Sequence, residues 1–155
     1  MDTHPAALQV TVMARRYRLG VTRKLVNWIV RALLGVGLGP ARTYLLVVPG
    51  RKTGRLHKTP VTLVEESGQR WLVAPYGEVG WVRNVRAARS VTLHRGRRSE
   101  TLRAVELEAR QAAPVLRDYI RDVPITRPFF DAKPDSTLDE FAAEAPRHPV
   151  FRLEP

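Results

Sequence analysis

A chain of 155 residues, 44% hydrophobic and 26% charged, has ordinary globular composition and the length of one domain with a modest core. It contains no cysteine, which excludes a disulfide framework, a thiolate metal site and a cysteine nucleophile, and fits a reducing cytoplasm. The 26 Lys+Arg against 15 Asp+Glu leave a formal net charge of +11, which points to an anionic partner: nucleic acid, a membrane surface, or a phosphorylated or carboxylated small molecule.

The charge is concentrated at the start. Residues 1–58 hold eleven basic side chains and one acid, Asp2, whereas the remainder is nearly balanced. The opening MDTHPAAL has no charged region leading into an apolar run and a cleavage site, so no cleavable leader is expected and the expected location is cytoplasmic. The most apolar stretch, Leu25 to Leu38, is broken by Asn27 and Arg31 and falls short of the ~20 residues a membrane span needs. Helices are expected over 7–19 and 21–36. In the second, Leu25, Trp28, Ile29, Ala32 and Leu33 recur at helical spacing while Arg23, Lys24, Asn27 and Arg31 gather opposite. Such a helix suits peripheral contact with an anionic membrane, and equally suits packing on its own domain with solvated arginines.

From Thr43 onward the pattern becomes that of strands. Thr43–Val48, Thr59–Val64, Gln69–Ala74, Ser90–His94, Glu100–Leu107 and Val150–Leu153 are short apolar or alternating runs. Turns at Glu66-Ser67-Gly68 and Arg95-Gly96-Arg97 join them as hairpins. Helices are expected over Trp81–Ala88, 111–121 and Asp135–Glu144, the last capped by Asp135 or Ser136. These elements predict an α+β fold: a small antiparallel barrel of six strands with helices packed outside. The chain reads as a single domain over 1–155, with a helical segment at 1–40 and the barrel core at 41–155.

Two loops carry the strongest chemical signals. Pro49-Gly50-Arg51-Lys52-Thr53-Gly54-Arg55, followed by Lys58, places two glycines four apart among cations and a hydroxyl, a composition able to clamp a phosphate. The glycine spacing excludes a Walker A loop, and a solvated basic turn is the bland alternative. Ala74-Pro75-Tyr76-Gly77-Glu78-Val79-Gly80-Trp81-Val82-Arg83-Asn84 runs from a strand end into a helix start, where anions bind and where Tyr76 and Trp81 offer flat faces to a ring. A purely structural turn with Trp81 in the core is the alternative. His4, His57, His94 and His148 are dispersed, with no metal-ligand pairing, so no metal is expected; His57 alone lies beside a candidate site. No G-x-S-x-G elbow is present.

Taken together, G-R-K-T-G, then T-P at 59–60, L-V-A-x-Y-G, W-V-R-N-V-R-A and P-V-F-R-L-E-P resemble the deazaflavin-dependent nitroreductase family, over about Thr43 to Pro155. The resemblance implies a split β-barrel of the FMN-binding kind and the cofactor coenzyme F420, an 8-hydroxy-5-deazaflavin with a phosphate and an acidic tail. By position it implies that Gly50, Arg51, Lys52, Thr53, Gly54 and Lys58 hold the phosphate and tail, and that Thr59 and Pro60 lie along the ring. Ala74, Pro75, Tyr76 and Gly77 would cover the cofactor, and Trp81 and Asn84 would close its anionic side. The loop from Gly77 to Trp81 is shorter than in many members, and position 59 is Thr where one branch has Asn.

The implied activity is hydride transfer from the reduced deazaflavin to an organic acceptor such as a quinone, an unsaturated lipid or a nitroaromatic. Tyr76 and Tyr119 are the candidate proton donors, since a phenol stays protonated at neutral pH. Residues Pro124–Phe130 form either an apolar lid or a packed loop. An FMN oxidoreductase on the same barrel and a non-enzymatic nucleic-acid-binding module are the alternatives, although no nucleic-acid motif appears. The oligomeric state, a homodimer included, stays open.

Overall fold

The structure, a computed structural model, describes residues 42–155, so the helices expected over 7–19 and 21–36 lie outside the described residues. Six strands form the sheet: Thr43–Pro49 (β1), Leu56–Glu66 (β2), Gln69–Val73 (β3), Ser90–Arg95 (β4), Arg98–Glu106 (β5) and Val150–Glu154 (β6). They close into an antiparallel barrel in the order β1-β2-β3-β6-β5-β4. Helices Gly80–Ala88 (α1), Ala109–Asp122 (α2) and Leu138–Glu144 (α3) complete the fold with a 3-10 turn over Pro124–Phe129.

Period-two alternation decides which residues face the barrel interior. Val91 and Leu93 of β4 and Leu102 and Ala104 of β5 are buried, whereas Thr92 and Thr101 face outward and share a cross-strand hydrogen bond of 3.0 Å. Leu46, Val48, Leu63, Leu72, Phe151 and Leu153 fill the same interior, joined by Val82 and Val85 of α1. A second core lies outside the barrel. There Val64, Val73 and Val150 pack against Leu116, Tyr119 and Ile120 of α2 and Phe141 of α3. The expected arrangement of a small barrel with external helices is the one observed.

Both predicted hairpin turns form, for distinct reasons. Ser67 and Gly68 both take positive φ, 53° and 79°, the requirement of a two-residue type I′ turn. Between Arg95 and Arg98 only the first turn residue, Gly96, is left-handed, at φ 61°, as a type II′ turn requires.

Two boundaries differ most from expectation. β2 starts at Leu56 and not at Thr59, because Pro49, Val48 and Val47 of β1 pair with Leu56, His57 and Lys58. That polar segment reads as loop in sequence but is strand with exposed side chains, and it shortens the basic loop to residues 50–55. The cap of α3 is Thr137, and neither Asp135 nor Ser136. Thr137 Oγ1 accepts from the Glu140 N–H at 3.2 Å, and Glu140 Oε1 accepts in return from the Thr137 N–H at 2.8 Å. Ser136 is instead spent on the preceding turn, where its Oγ accepts from the Lys133 N–H.

Candidate functional site

The β1–β2 loop, the β3–α1 loop, α2 and the Pro124–Phe129 turn surround a cleft of about 750 Å³. Its charged rim is the loop 50–55. The Gly50 N–H donates to Arg55 O at 2.7 Å and the Gly54 N–H donates to Gly50 O at 2.9 Å, a closure that needs Gly54 at φ 76°. Thr53 Oγ1 accepts from the Arg55 N–H. Arg51 is anchored to α1, because buried Asn84 accepts from both its backbone N–H and its guanidinium. Lys52, Arg55 and Lys58 pair with no carboxylate among the described residues.

Beyond this rim the lining turns apolar and aromatic. Thr59, Pro60 and Val61 of β2 face Pro75, Tyr76, Val79 and Trp81. Tyr119 of α2 with Val123, Ile125 and Thr126 forms the far end. The Tyr76 ring meets Phe129 edge-on at 4.7 Å between centroids. Tyr119 is buried, and burial, with a smaller contribution from neighbouring Tyr76, pushes its phenol well above the ordinary value, so it stays protonated. Arg127 fixes the 3-10 turn to the end of α2, with Nε donating to Ile120 O at 2.7 Å and Nη2 to Arg121 O at 3.2 Å. Ile125 stands 78% exposed at the lip.

The cleft thus gathers Gly50, Arg51, Lys52, Thr53, Lys58, Thr59, Pro60, Pro75, Tyr76, Trp81, Asn84 and Tyr119, all singled out from sequence. Gly54, Ala74 and Gly77 do not line it. They shape the loops behind it: Ala74 is fully buried, and Gly77 sits at φ 91°. Sequence reasoning passed over Val61, Thr62, Val73 and Val123, whose side chains carry no motif, whereas Val79 belongs to the Ala74–Asn84 segment and Ile125 and Thr126 to the Pro124–Phe130 segment read as either a lid or a packed loop.

Sequence reasoning also passed over a buried hydrogen-bonded pair behind the cleft. The histidine expected near the site is His57, which does line it. His148, however, is only 4% exposed. Its Nδ1 donates to Pro75 O at 2.9 Å, and its Nε2 lies 2.9 Å from Glu144 Oε2. The Glu144 carboxylate also accepts from the Asp131 and Ala132 N–H groups, at 2.8 and 2.7 Å. The His148 ring stacks on Phe130, 3.8 Å between centroids. Burial pushes the Glu144 carboxyl up, but the His148 bond and the two backbone N–H groups outweigh it and hold the carboxyl below its ordinary range. The E-x-x-x-H spacing at 144–148 was the only signal in the sequence. Among the described residues, no group of three or more His, Asp or Glu is placed to hold a metal ion, and no helix is long and apolar enough to cross a membrane.

Comparison with known proteins bears on the family and the fold. The profile of the F420H2-dependent quinone reductase family matches residues 20–126, which include both cleft loops and part of the turn at its far end. Among solved structures, an F420-H2 dependent reductase (FDR-A) aligns with 74% of this chain and 95% of its own, at 23% identity and a TM-score of 0.52. A protein solved as a domain-swapped dimer aligns with 86% of this chain and 96% of its own, at 21% identity and a TM-score of 0.54. HutZ, the heme storage protein of Vibrio cholerae, aligns with 74% and 81%, at 12% identity and 0.51. At these identities the structural likenesses speak for the split-barrel fold alone. No curated protein matches the sequence. The family profile covers more than half of the chain and spans the loops that build the cleft; the chain therefore belongs to the F420H2-dependent quinone reductase family and is an F420H2-dependent reductase.

Proposed function

We propose that the cleft is the active site, that coenzyme F420 lies along it, and that a quinone or a similarly flat apolar acceptor is reduced at its far end. The observation that carries this reading is the polarity of one continuous cleft: cations that pair with no carboxylate among the described residues at one end, aromatic and apolar groups with a protonated phenol at the other. The residues present fit the group. A volume of about 750 Å³ is that of a small-molecule site, and a phosphate with a string of carboxylates matches Lys52, Arg55 and Lys58.

Each residue has a task that follows from its place. Arg51, Lys52, Arg55 and Lys58 neutralise the phosphate and acidic tail, and Gly50 lets the backbone approach closely. Thr59 and Pro60 on one side, with Pro75, Tyr76 and Trp81 on the other, give the ring flat walls and keep water away. When bound in reduced form, the coenzyme supplies the hydride. The protein holds the acceptor against the ring. Tyr119 or Tyr76 donates its phenol proton toward the developing charge on the acceptor oxygen. Ile125 and Val123 supply apolar surface for the acceptor.

The reading is tested by titrating the purified protein with oxidised coenzyme F420 and, separately, with flavin mononucleotide. F420 should bind more tightly, with affinity falling as salt rises, and Lys52→Ala or Arg55→Ala should weaken it about tenfold, as loss of one charge-assisted contact does. Tighter binding of flavin mononucleotide, or F420 binding indifferent to both substitutions, overturns the assignment.

A further inference from the structure

Tyr76 reaches the cleft from a four-residue turn, Ala74–Gly77, with Pro75 and Tyr76 at its centre. The turn's own closing bond, from the Gly77 N–H to Ala74 O, is long at 3.4 Å. Two turn conformations satisfy such a bond, and they differ by rotation of the central peptide, here Pro75–Tyr76; Tyr76 is in the one without positive φ, which its Cβ favours. That rotation changes φ of Tyr76 and the direction in which its side chain leaves the backbone. The closing bond does not choose between them. The Tyr76 Cβ favours one, and a partner that holds the Pro75 carbonyl adds to that choice, because its oxygen points opposite ways in the two forms.

That oxygen is held by buried His148, whose Nδ1 is 2.9 Å away. A carbonyl only accepts, so Nδ1 carries the proton. The other ring nitrogen faces Glu144 Oε2 at 2.9 Å, and the stacked Phe130 fixes the ring plane. Glu144 is tied in turn to the N–H groups of Asp131 and Ala132, directly after the turn whose Phe129 meets Tyr76 edge-on. One buried pair thereby references both walls of the cleft's far end to each other.

We infer that His148, oriented by Glu144, is a positioning residue that fixes the Pro75–Tyr76 peptide and through it the Tyr76 phenol in the cleft. The consequence for reduction rests on the proposed reading of the cleft; the consequence for the turn does not.

Two amide substitutions separate the links. His148→Asn keeps a donor near the position of Nδ1, toward Pro75 O, and gives up the bond to Glu144. His148→Gln keeps a donor near Nε2, toward Glu144, and gives up Pro75. In the ligand-free protein, amide hydrogen exchange at Tyr76 and Gly77 should quicken about tenfold or more in His148→Gln and stay within about threefold of the parent in His148→Asn. With reduced F420 and a short-chain quinone, kcat should fall about tenfold in His148→Gln while the dissociation constant for oxidised F420 changes less than twofold. His148→Asn should retain kcat within threefold. Should one variant not fold, the other is compared with the parent by the same two measurements. If the two variants lose thermal stability alike but match the parent in exchange at 76–77 and in kcat, His148 is structural only and the inference is overturned. If the parent reduces no quinone, the proposed acceptor is wrong, and the exchange comparison still decides the inference.

Discussion

Asn84 accepts two hydrogen bonds from Arg51 through a single side-chain oxygen, one from the backbone N–H at 3.1 Å and one from the guanidinium at 2.9 Å. The helix α1 therefore sets both the path of the basic loop and the aim of its first cation. Asn84→Ala should destabilise the protein by about 1–3 kcal/mol, the cost of leaving such donors without their acceptor, and weaken F420 binding. Asn84→Asp keeps the acceptor but brings a negative charge to the phosphate end. It should restore stability relative to Asn84→Ala and still weaken F420 binding, as calorimetric titration beside thermal unfolding would show.

Gly54→Ala should cost about 1–2 kcal/mol, because φ 76° is a left-handed conformation that a Cβ opposes. A Cβ there meets nothing within 4 Å, so the penalty is conformational and not steric. At Gly50 the reverse holds: a Cβ would come within 2.9 Å of His57 Nε2, the far end of an exposed side chain that can turn away. Gly50→Ala should be the milder change in urea unfolding, and should displace the His57 ring signals in an NMR spectrum.

Tyr119→Phe preserves the packing of α2 and removes only the phenol oxygen. If that oxygen keeps the proton for the acceptor, kcat falls about a hundredfold, the scale of general acid catalysis, while F420 affinity holds. A fall of less than threefold removes Tyr119 from the chemistry. Its pKa also fixes a sign. A folded value above the unfolded phenol's means the native state binds the proton more tightly, so this contribution to stability is whole below about pH 10 and is lost as pH rises past that value. Tyr119→Phe should flatten the alkaline limb of a stability-pH curve.

Glu144 has the opposite sign. Its folded pKa is depressed, so its stabilisation is present above the ordinary carboxylate range and is lost as pH falls through the folded value. Thermal unfolding should show an acid limb that Glu144→Gln flattens. Glu144→Ala, which strands His148 and two backbone donors, should cost about 3–5 kcal/mol, as breaking a buried pair does.

Much of the architecture was legible because its signals are local. Gly68 and Gly96 mark the turns by the left-handed backbone that glycine adopts readily, and Val91, Leu93, Leu102 and Ala104 mark the inward face by alternation. The basic loop and the Tyr76–Asn84 segment were legible as two separate chemistries. That Asn84 holds Arg51 was not, since 33 residues separate them. Leu56–Lys58 was read as loop because its polarity is that of a loop; its pairing to Val47–Pro49 is decided across the hairpin. Glu144 and His148 were missed for a different reason. A charged residue is buried only where tertiary structure supplies its partners, and those partners are a proline carbonyl and two loop N–H groups that carry no sequence signature.

The strand order also governs how the molecule comes to be. β6, last of the six to be synthesised, lies between β3 and β5, pairing with both. The β1-β2-β3 meander and the β4–β5 hairpin can form from nearby residues, but until β6 arrives, β3 and β5 each present an unpaired edge. Such edges recruit other chains, and a ring closed by so distant a segment folds slowly. Ribosome-bound intermediates lacking Val150–Glu154 are therefore the stage at which this protein is most exposed to aggregation, and substitutions that weaken β6 should lower soluble yield more than they lower the stability of the finished barrel.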